Sequence, residues 1–329
     1  MKGISMLLQV SNLQIAIATR AGEVVTPVRN AAFSVSAGET LALVGESGCG
    51  KSMTCLAISG LLPKRAGIAA GSVLLDGKEL AGLDRKAFRR IRRREIAFVF
   101  QDATNGLNPL RPIGWQIAEA VRLREGTSWR AAHARALDLL GRVGMPEPKR
   151  RMREFPHQLS GGMNQRAMIA LAIAGSPKLL IADEATTALD VTIQAQIMDL
   201  IADLQREIGM AVLLVTHDLG LVAEYADQVA VMYAGHVVER ASVDALFLAP
   251  RHPYARGLLD ALPRIDSVSE ELAIIEGQVP PINAMPAGCA FAPRCRRALP
   301  RCRAEVPVMC GGAGQAFSCF NALPEKVAA

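Results

Sequence analysis

Gly45-Glu46-Ser47-Gly48-Cys49-Gly50-Lys51-Ser52 is the stretch on which the reading of this chain turns. It fits the pattern G-x-x-x-x-G-K-[ST]. Upstream, Leu41-Ala42-Leu43-Val44 is an apolar run expected to form a buried strand. Downstream, Met53 to Leu62 has helical texture. A loop that wraps closely round phosphates needs glycines, which tolerate unusual φ and leave room. It then turns backbone N–H groups and a helix N-terminus towards the anion. Lys51 is expected to reach the β- and γ-phosphates, and the Ser52 hydroxyl to take Mg²⁺. The competing reading is a plain Gly-rich strand-to-helix turn, against which strand, loop, Lys-Ser pair and helix agree. The expectation is a binder of nucleoside triphosphate.

The length of 329 residues suggests two domains and is ample for a core. Half the residues are hydrophobic and only 4% aromatic, so aliphatic packing is expected to dominate. No apolar stretch approaches the roughly 20 residues of a membrane-spanning helix. Ala167 to Ala182 comes nearest, but Pro177 and Lys178 interrupt it. Met1-Lys2-Gly3-Ile4-Ser5 lacks the apolar core and cleavage site of a signal peptide, which points to the cytoplasm. Net charge is +6, and seven of the ten residues from Arg85 to Arg94 are Lys or Arg. Such a run could contact a nucleic-acid backbone. Without aromatic interleaving or a nucleic-acid motif, it reads better as a solvated helical face, one that suits anionic headgroups, and no nucleic-acid partner is expected.

Residues 6–45 alternate short apolar runs with turn residues (Leu7 to Val10, Leu13 to Ala18, Ala32 to Val35), the pattern of antiparallel strands. Asp76-Gly77 marks a small hairpin turn. Residues 96–101 read as a buried strand ending in Gln101, at a strand end where α/β folds place ligand contacts. Taken alone, Gln101 would read as a satisfied surface side chain. From Asn108 to Leu159 helical spacing and scattered prolines suggest a helical insertion, taken to about residues 108–172. At Leu159-Ser160-Gly161-Gly162-Met163-Asn164-Gln165-Arg166 another helix begins. Ser160 suits its N-cap, and Gly161 and Gly162 leave N–H groups open at the helix start, a second anion-binding device. An ordinary capped helix would not explain two glycines, which weaken the first turn. Leu179-Leu180-Ile181-Ala182-Asp183-Glu184 reads as a parallel-sheet strand ending in two acids. Adjacent side chains point differently, so Asp183 suits the Mg²⁺ shell and Glu184 the polarisation of water. Residues 191–208 form an amphipathic helix with Ile193, Ile197, Leu200, Ile201, Leu204 and Ile208 on one face, ended by Gly209. Ala211 to Val215 is a further buried strand, followed by His217, where it could reach a phosphate.

In this order the phosphate loop, Gln101, Leu159 to Arg166, Leu179 to Glu184, Ala188-Leu189-Asp190 and His217 resemble an ABC-superfamily ATPase. Gln101-Asp102 with Leu107-Asn108-Pro109, His252-Pro253-Tyr254 before Leu258-Leu259, and the tail around Ala292-Pro293-Arg294-Cys295 resemble its dipeptide/oligopeptide importer branch. The resemblance covers nearly the whole chain. It implies an α/β phosphate-loop NTPase core with an N-terminal antiparallel β subdomain, a helical insertion and a small Cys-rich extension. The nucleotide-binding domain would span 1–250 and the extension 251–329. It further implies that Gly45 to Ser52 hold the phosphates of ATP and that Asp183 supports Mg²⁺. Gln101 would touch Mg²⁺ and report occupancy, Glu184 would activate water, and His217 would brace the γ-phosphate. Ser160, Gly161 and Gly162 would close over a nucleotide held by an opposing ATPase subunit, and Asp190 would link the two sites. The implied partners are two integral-membrane permease subunits, a second and distinct ATPase, and an extracytoplasmic solute-binding protein. The chain would sit on the cytoplasmic face of the membrane and energise uptake of di- or oligopeptides, with nickel, a sugar or an opine as alternative cargoes. A soluble ABC protein of translation or DNA repair would carry two cassettes or a long coiled coil, and this chain has neither.

Three departures stand out. Residues 1–32 hold no Phe, Tyr or Trp to stack on adenine, and Ile17 falls near the expected place. Ala185 replaces a common proline after Glu184, and Asn164 stands where a basic residue is usual. Five of the seven cysteines crowd into residues 289–319. The cytoplasm argues against a disulfide framework, and the paired short spacing usual for zinc is absent, which leaves an iron–sulfur cluster, a zinc site and unliganded thiols as open readings. The family resemblance implies a [4Fe–4S] cluster on Cys289, Cys295, Cys302 and Cys319, with Cys310 spare.

Overall fold

The structure, a computed structural model, describes residues 6–101, 106–186, 190–262, 274–312 and 314–324. Asp102, Ala188 and Leu189 of the sequence reading, and residues 1–5, lie outside these. In chain order the elements are β1 (Met6–Ala18), β2 (Val24–Ser36), β3 (Thr40–Val44), α1 (Lys51–Ser59), β4 (Ala66–Leu75) and β5 (Lys78–Glu79). Then come α2 (Arg85–Arg94), β6 (Ile96–Val99), α3 (Ile113–Glu125), α4 (Trp129–Arg142), α5 (Pro148–Arg151), α6 (Gly161–Ile173) and β7 (Leu179–Asp183). There follow α7 (Val191–Ile208), β8 (Ala211–Val215), α8 (Leu219–Tyr225), β9 (Gln228–Tyr233), β10 (His236–Ser242), α9 (Val243–Leu248) and α10 (Pro253–Asp260). Last are α11 (Pro300–Ala304), β11 (Cys310–Gly311) and β12 (Gln315–Phe317). No helix among the described residues is long and apolar enough to cross a membrane.

The chain divides into two compact units. One comprises Met1–Leu7, Val35–Glu39 and Leu83–Val215. Its sheet runs β6-β7-β8, all parallel, with Ile96 opposite Leu179 and Leu179 opposite Ala211. Leu179 to Ala182 and Ala211 to Val215 are buried without alternation, as expected where helices cover both faces of a sheet. The helical insertion appears as α3, α4, α5 and the start of α6. Helix α2 carries the arginine run. Asp84 caps it by accepting from the Ala87 N–H, Phe88 is its one buried side chain, and Arg92, Arg93 and Arg94 face the negative end of the helix dipole. Helix α7 buries Ile197, Met198, Ile201 and Leu204, so Met198 belongs to the stripe read from the isoleucines and leucines.

The other unit comprises Leu8–Ser34, Thr40–Gly82 and Thr216–Ala329. Its strands lie in the order β5-β4-β1-β2-β10-β9-β3, with β12 added to β10 and β11 to β12. β3 runs parallel to β9, Leu41 opposite Gln228 and Val44 opposite Val231. Thr40 and Asp227 lock this pair: the Asp227 carboxylate accepts from the Thr40 N–H at 2.8 Å and the Thr40 carbonyl from the Asp227 N–H at 2.9 Å. Leu7 to Ala18, read as two strands, is one. Asn12 takes a left-handed φ of 48° and makes a bulge in the pairing of β1 with β4 rather than a turn. Opposite it a Cβ on Gly71 would stand 2.4 Å from the Asn12 carbonyl oxygen, so glycine is required there. The Asp76-Gly77 hairpin joins β4 to β5, both turn residues at positive φ. Helix α1 starts at Lys51 and stops at Ser59, because Gly60 takes the left-handed conformation and closes it. Strand β6 ends at Val99, before Gln101.

Glu239 on β10 is fully buried and fastens the C-terminal segment. It accepts from the Arg251 N–H (2.8 Å), the His252 N–H (2.7 Å) and the Gln315 side-chain amide (2.8 Å). Burial raises its pKa, and those donors oppose the rise. Glu239→Gln keeps one acceptor oxygen and turns an NH₂ group towards a donor. A loss of about 1–3 kcal/mol is expected in chemical denaturation.

Candidate nucleotide site

The phosphate loop is shaped by packing as much as by its own glycines. Gly45 has φ 150°, and a Cβ there would lie 2.1 Å from the Met232 carbonyl oxygen. Gly50 has φ 108°, and its Cβ would lie 2.9 Å from the Pro27 carbonyl oxygen. No other residue fits either position. The Gly235 N–H donates to the Cys49 carbonyl (2.9 Å), fixing the loop's far limb to the β9–β10 turn. Lys51 is buried, and its Nζ donates to the carbonyls of Gly45 (2.7 Å) and Glu46 (3.1 Å), so its ammonium is held inside the loop. Cys49 is buried beside it; burial raises its thiol pKa, and it stays neutral. Ser52 follows on the exposed side of the first turn of α1, and Ser47 and Gly48 form the loop's tip.

The same loop is held from the C-terminal part of the unit, by residues that the sequence reading left without a role. The Glu46 N–H donates to the Tyr254 hydroxyl at 2.9 Å, and the Glu46 carboxylate accepts from Arg294 at 2.9 and 3.0 Å. Tyr254 is fully buried and packs on Tyr233 and Phe291, with ring centroids 4.6 and 5.4 Å away. Burial pushes its phenol pKa up, so it remains a neutral hydroxyl. His252 caps α10 by accepting from the Tyr254 N–H through Nδ1 (3.0 Å). The sequence signals for these residues were His252-Pro253-Tyr254 and Ala292-Pro293-Arg294-Cys295, both of them family resemblances without a role.

His252 and His236 give a pH dependence. Burial pushes His252 down to about 3; burial and then the Arg29 charge push His236 down to about 4. Both are neutral in the folded chain and titrate near 6.5 when unfolded. Below that pH the unfolded state binds more protons, so stability falls with acidification, from about pH 6.5 to about 4 and for His252 to about 3. His252→Asn keeps a capping oxygen and removes one titrating group. The slope of unfolding free energy against pH is expected to fall by roughly 1.4 kcal/mol per pH unit in that window.

In the other unit, two residues picked separately from the sequence meet. The Gln101 side-chain amide donates to Glu184 Oε2 at 2.9 Å. Glu184 follows β7 with φ 47°, an uncommon conformation for a residue with a side chain. Its N–H donates to the Val215 carbonyl (2.9 Å), which holds that conformation. Asp183, half-buried, ends β7. Ser160 caps α6 through the Met163 N–H (3.4 Å). A Cβ on Gly162 would press on Ile193 at 2.9 Å, so Gly162 permits close approach of α6 to α7 as well as leaving the helix start open beside Gly161. Asn164 is buried and donates to the Pro156 carbonyl at 3.0 Å, which a longer basic side chain could not do in the same space. Ala185 is buried. Asp190 caps α7 through the Ile193 N–H at 2.9 Å. In the phosphate-loop unit, His217 is exposed just before α8 and Ile17 lies half-buried on β1.

Cys289, Cys295, Cys302 and Cys319 line one small enclosed cavity, together with His252, Phe291 and Phe320. The Cys289 N–H donates to the Cys302 carbonyl at 2.8 Å. Cys310 stands elsewhere, exposed on β11. Burial raises the thiol pKa of Cys289 and Cys295 and pushes Cys319 up to about 11, so without a cation these thiols hold their protons. Among the described residues no group of three or more His, Cys, Asp or Glu side chains is arranged to hold a single metal ion.

A phosphate loop, a capped Gly-Gly helix start and a strand ending in Asp-Glu, on these sheets, define an ATP-binding cassette. The family model for ABC transporters matches residues 28–187, and that for the oligopeptide/dipeptide transporter C-terminal region matches residues 238–302. A protein of Brucella melitensis biotype 1 named as a peptide import ATP-binding protein is 51% identical over 313 residues, 92% of each chain. One of Brucella abortus with the same kind of name is 48% identical over 320 residues, 97% of this chain and 96% of that one. A dimeric ATP-binding cassette in a post-hydrolysis state bound to ADP and Pi is 29% identical with a TM-score of 0.65, covering 72% of this chain and 99% of that one. The cbiO1 protein of Clostridium perfringens, part of the ABC transporter complex cbiONQ, is 27% identical with a TM-score of 0.63, covering 74% and 90%. The chain belongs to the ABC transporter family of ATPases, in the branch with an oligopeptide/dipeptide transporter C-terminal region.

Proposed function

We propose that this chain is the ATP-hydrolysing subunit of a membrane importer of di- or oligopeptides. The Gln101–Glu184 pair at 2.9 Å is the observation that carries the hydrolytic reading. An amide donor holds one oxygen of the carboxylate that takes the proton from water. Phosphoryl transfer asks the protein for in-line positioning and charge neutralisation, with little covalent chemistry. The amides of Gly45 to Ser52 and the Lys51 ammonium take the charge of the phosphates. Glu184 orients the attacking water and accepts its proton, and His217 braces the γ-phosphate. Ser52, Asp183 and Gln101 supply oxygen donors only, the set that Mg²⁺ prefers, and that ion neutralises charge on the phosphates when bound. Ser160, Gly161 and Gly162 serve a nucleotide on an opposing, distinct ATPase subunit, and Asp190 couples the sites. Closure then depends on ATP and its release on hydrolysis.

The cassette spans 1–250 and the extension 251–329. A groove of about 700 Å³ in the helical insertion, lined by Trp115, Leu137 and Met152, suits an apolar helix of a permease subunit. The names of the relatives support peptide as cargo, brought by an extracytoplasmic solute-binding protein. The chain works at the cytoplasmic face of the membrane. The four-cysteine cavity is the place for a [4Fe–4S] cluster. Cys289, Cys295, Cys302 and Cys319 would hold it, since thiolates are the usual ligands of that group. The test is gentle detergent extraction of native membranes, capture on this chain and mass spectrometry. Two permeases, a second ATPase and a solute-binding protein that binds peptides are expected. Ribosomal or DNA-repair partners would overturn the importer reading. A solute-binding protein that takes nickel, a sugar or an opine would overturn the cargo.

A further inference from the structure

Arg294 lies in the Cys-rich extension, directly before Cys295, yet its guanidinium ends in the phosphate loop. Its side chain is only 6% exposed and that of Glu46 28%. One nitrogen donates to both Glu46 oxygens (3.0 and 2.9 Å) and to the Tyr233 hydroxyl (3.4 Å). The other two donate to the carbonyls of Glu276 (2.9 Å) and Ile275 (2.9 Å). Glu46 is an odd choice inside a cradle for a polyanion, since its carboxylate adds repulsion where negative charge must be bound. The arrangement answers this. Arg294 cancels the charge by holding both carboxylate oxygens, while Tyr254 fixes the Glu46 N–H.

We propose that Arg294 is a positioning residue of the nucleotide site, neutralising Glu46 so that the loop can accept the phosphates of ATP. The extension is thereby a working part of the ATPase site. The proposal rests on the nucleotide reading of the loop. In water such a charge would be screened, but in a partly buried loop one uncompensated carboxylate weakens anion binding appreciably.

The experiment titrates the full-length chain with ATP and Mg²⁺ by calorimetry and follows thermal unfolding in parallel. Arg294→Gln is expected to raise the ATP Kd on the order of tenfold. Adding Glu46→Gln to it removes the repelling charge and is expected to bring the Kd back close to that of Glu46→Gln alone. The bonds to Ile275 and Glu276 are lost in both variants, so both unfold at a lowered temperature. A merely structural Arg294 predicts no such rescue. An ATP Kd unchanged by Arg294→Gln, or a loss that Glu46→Gln does not restore, overturns the proposal. Failure of the nucleotide reading is distinguishable: wild type would then bind ATP no better than Lys51→Ala, and both conclusions would fall together.

Discussion

Glu184→Gln is expected to lower ATP turnover of the assembled transporter by about 10²–10⁴-fold while ATP binding survives. The substitution is well placed to separate basicity from geometry. The new amide oxygen still accepts from Gln101, as Oε2 does at 2.9 Å. The backbone at φ 47° stays pinned through the Val215 carbonyl. What disappears is a carboxylate able to take a proton from water. Steady-state phosphate release and equilibrium ATP binding measured on the same preparation check this. Turnover at the wild-type rate would remove Glu184 from the mechanism.

The second large effect is on binding. In the structure the Lys51 ammonium rests on the Gly45 and Glu46 carbonyls, its positive charge held within the loop. Phosphate oxygens are stronger acceptors than those carbonyls, so the ammonium swings to them at little cost. Lys51→Ala removes the positive charge that the loop itself brings to the phosphates. Truncating one partner of a buried charge pair costs about 2–5 kcal/mol, which is roughly 30- to 4,000-fold in ATP Kd. Calorimetric titration checks it, and an affinity within threefold of wild type would contradict the placing of Lys51.

The sequence was legible where function is local. The phosphate loop, the Ser160 cap, the Asp183-Glu184 strand end and the helix closed by Gly209 are short segments whose chemistry lies in adjacent residues. It was opaque where a residue's reason sits far along the chain. Glu46 read as a free position within the loop pattern, because Arg294 is 248 residues away. Gly162 read as an open helix start, and only the packing of α6 on α7 reveals the contact with Ile193. Asn164 read as a departure from the family, whereas its amide satisfies the Pro156 carbonyl. The bulge at Asn12 was missed because apolar alternation on either side of it looks like two strands. The four cysteines were picked from clustering and resemblance, and their shared cavity depends on the fold of the whole extension.

The distance between Glu46 and its holders sets an order of events during synthesis. Tyr254 is 208 residues and Arg294 248 residues downstream of Glu46. A ribosome adding about 5–20 residues per second needs roughly 12–50 s to cover the longer interval. For that time the loop is out of the ribosome but without its guanidinium partner, and β3 must also wait for β9. A chain cut short before Arg294 emerges would thus present a loop poorly suited to ATP. A segment made long after the loop thus completes the loop's own contacts.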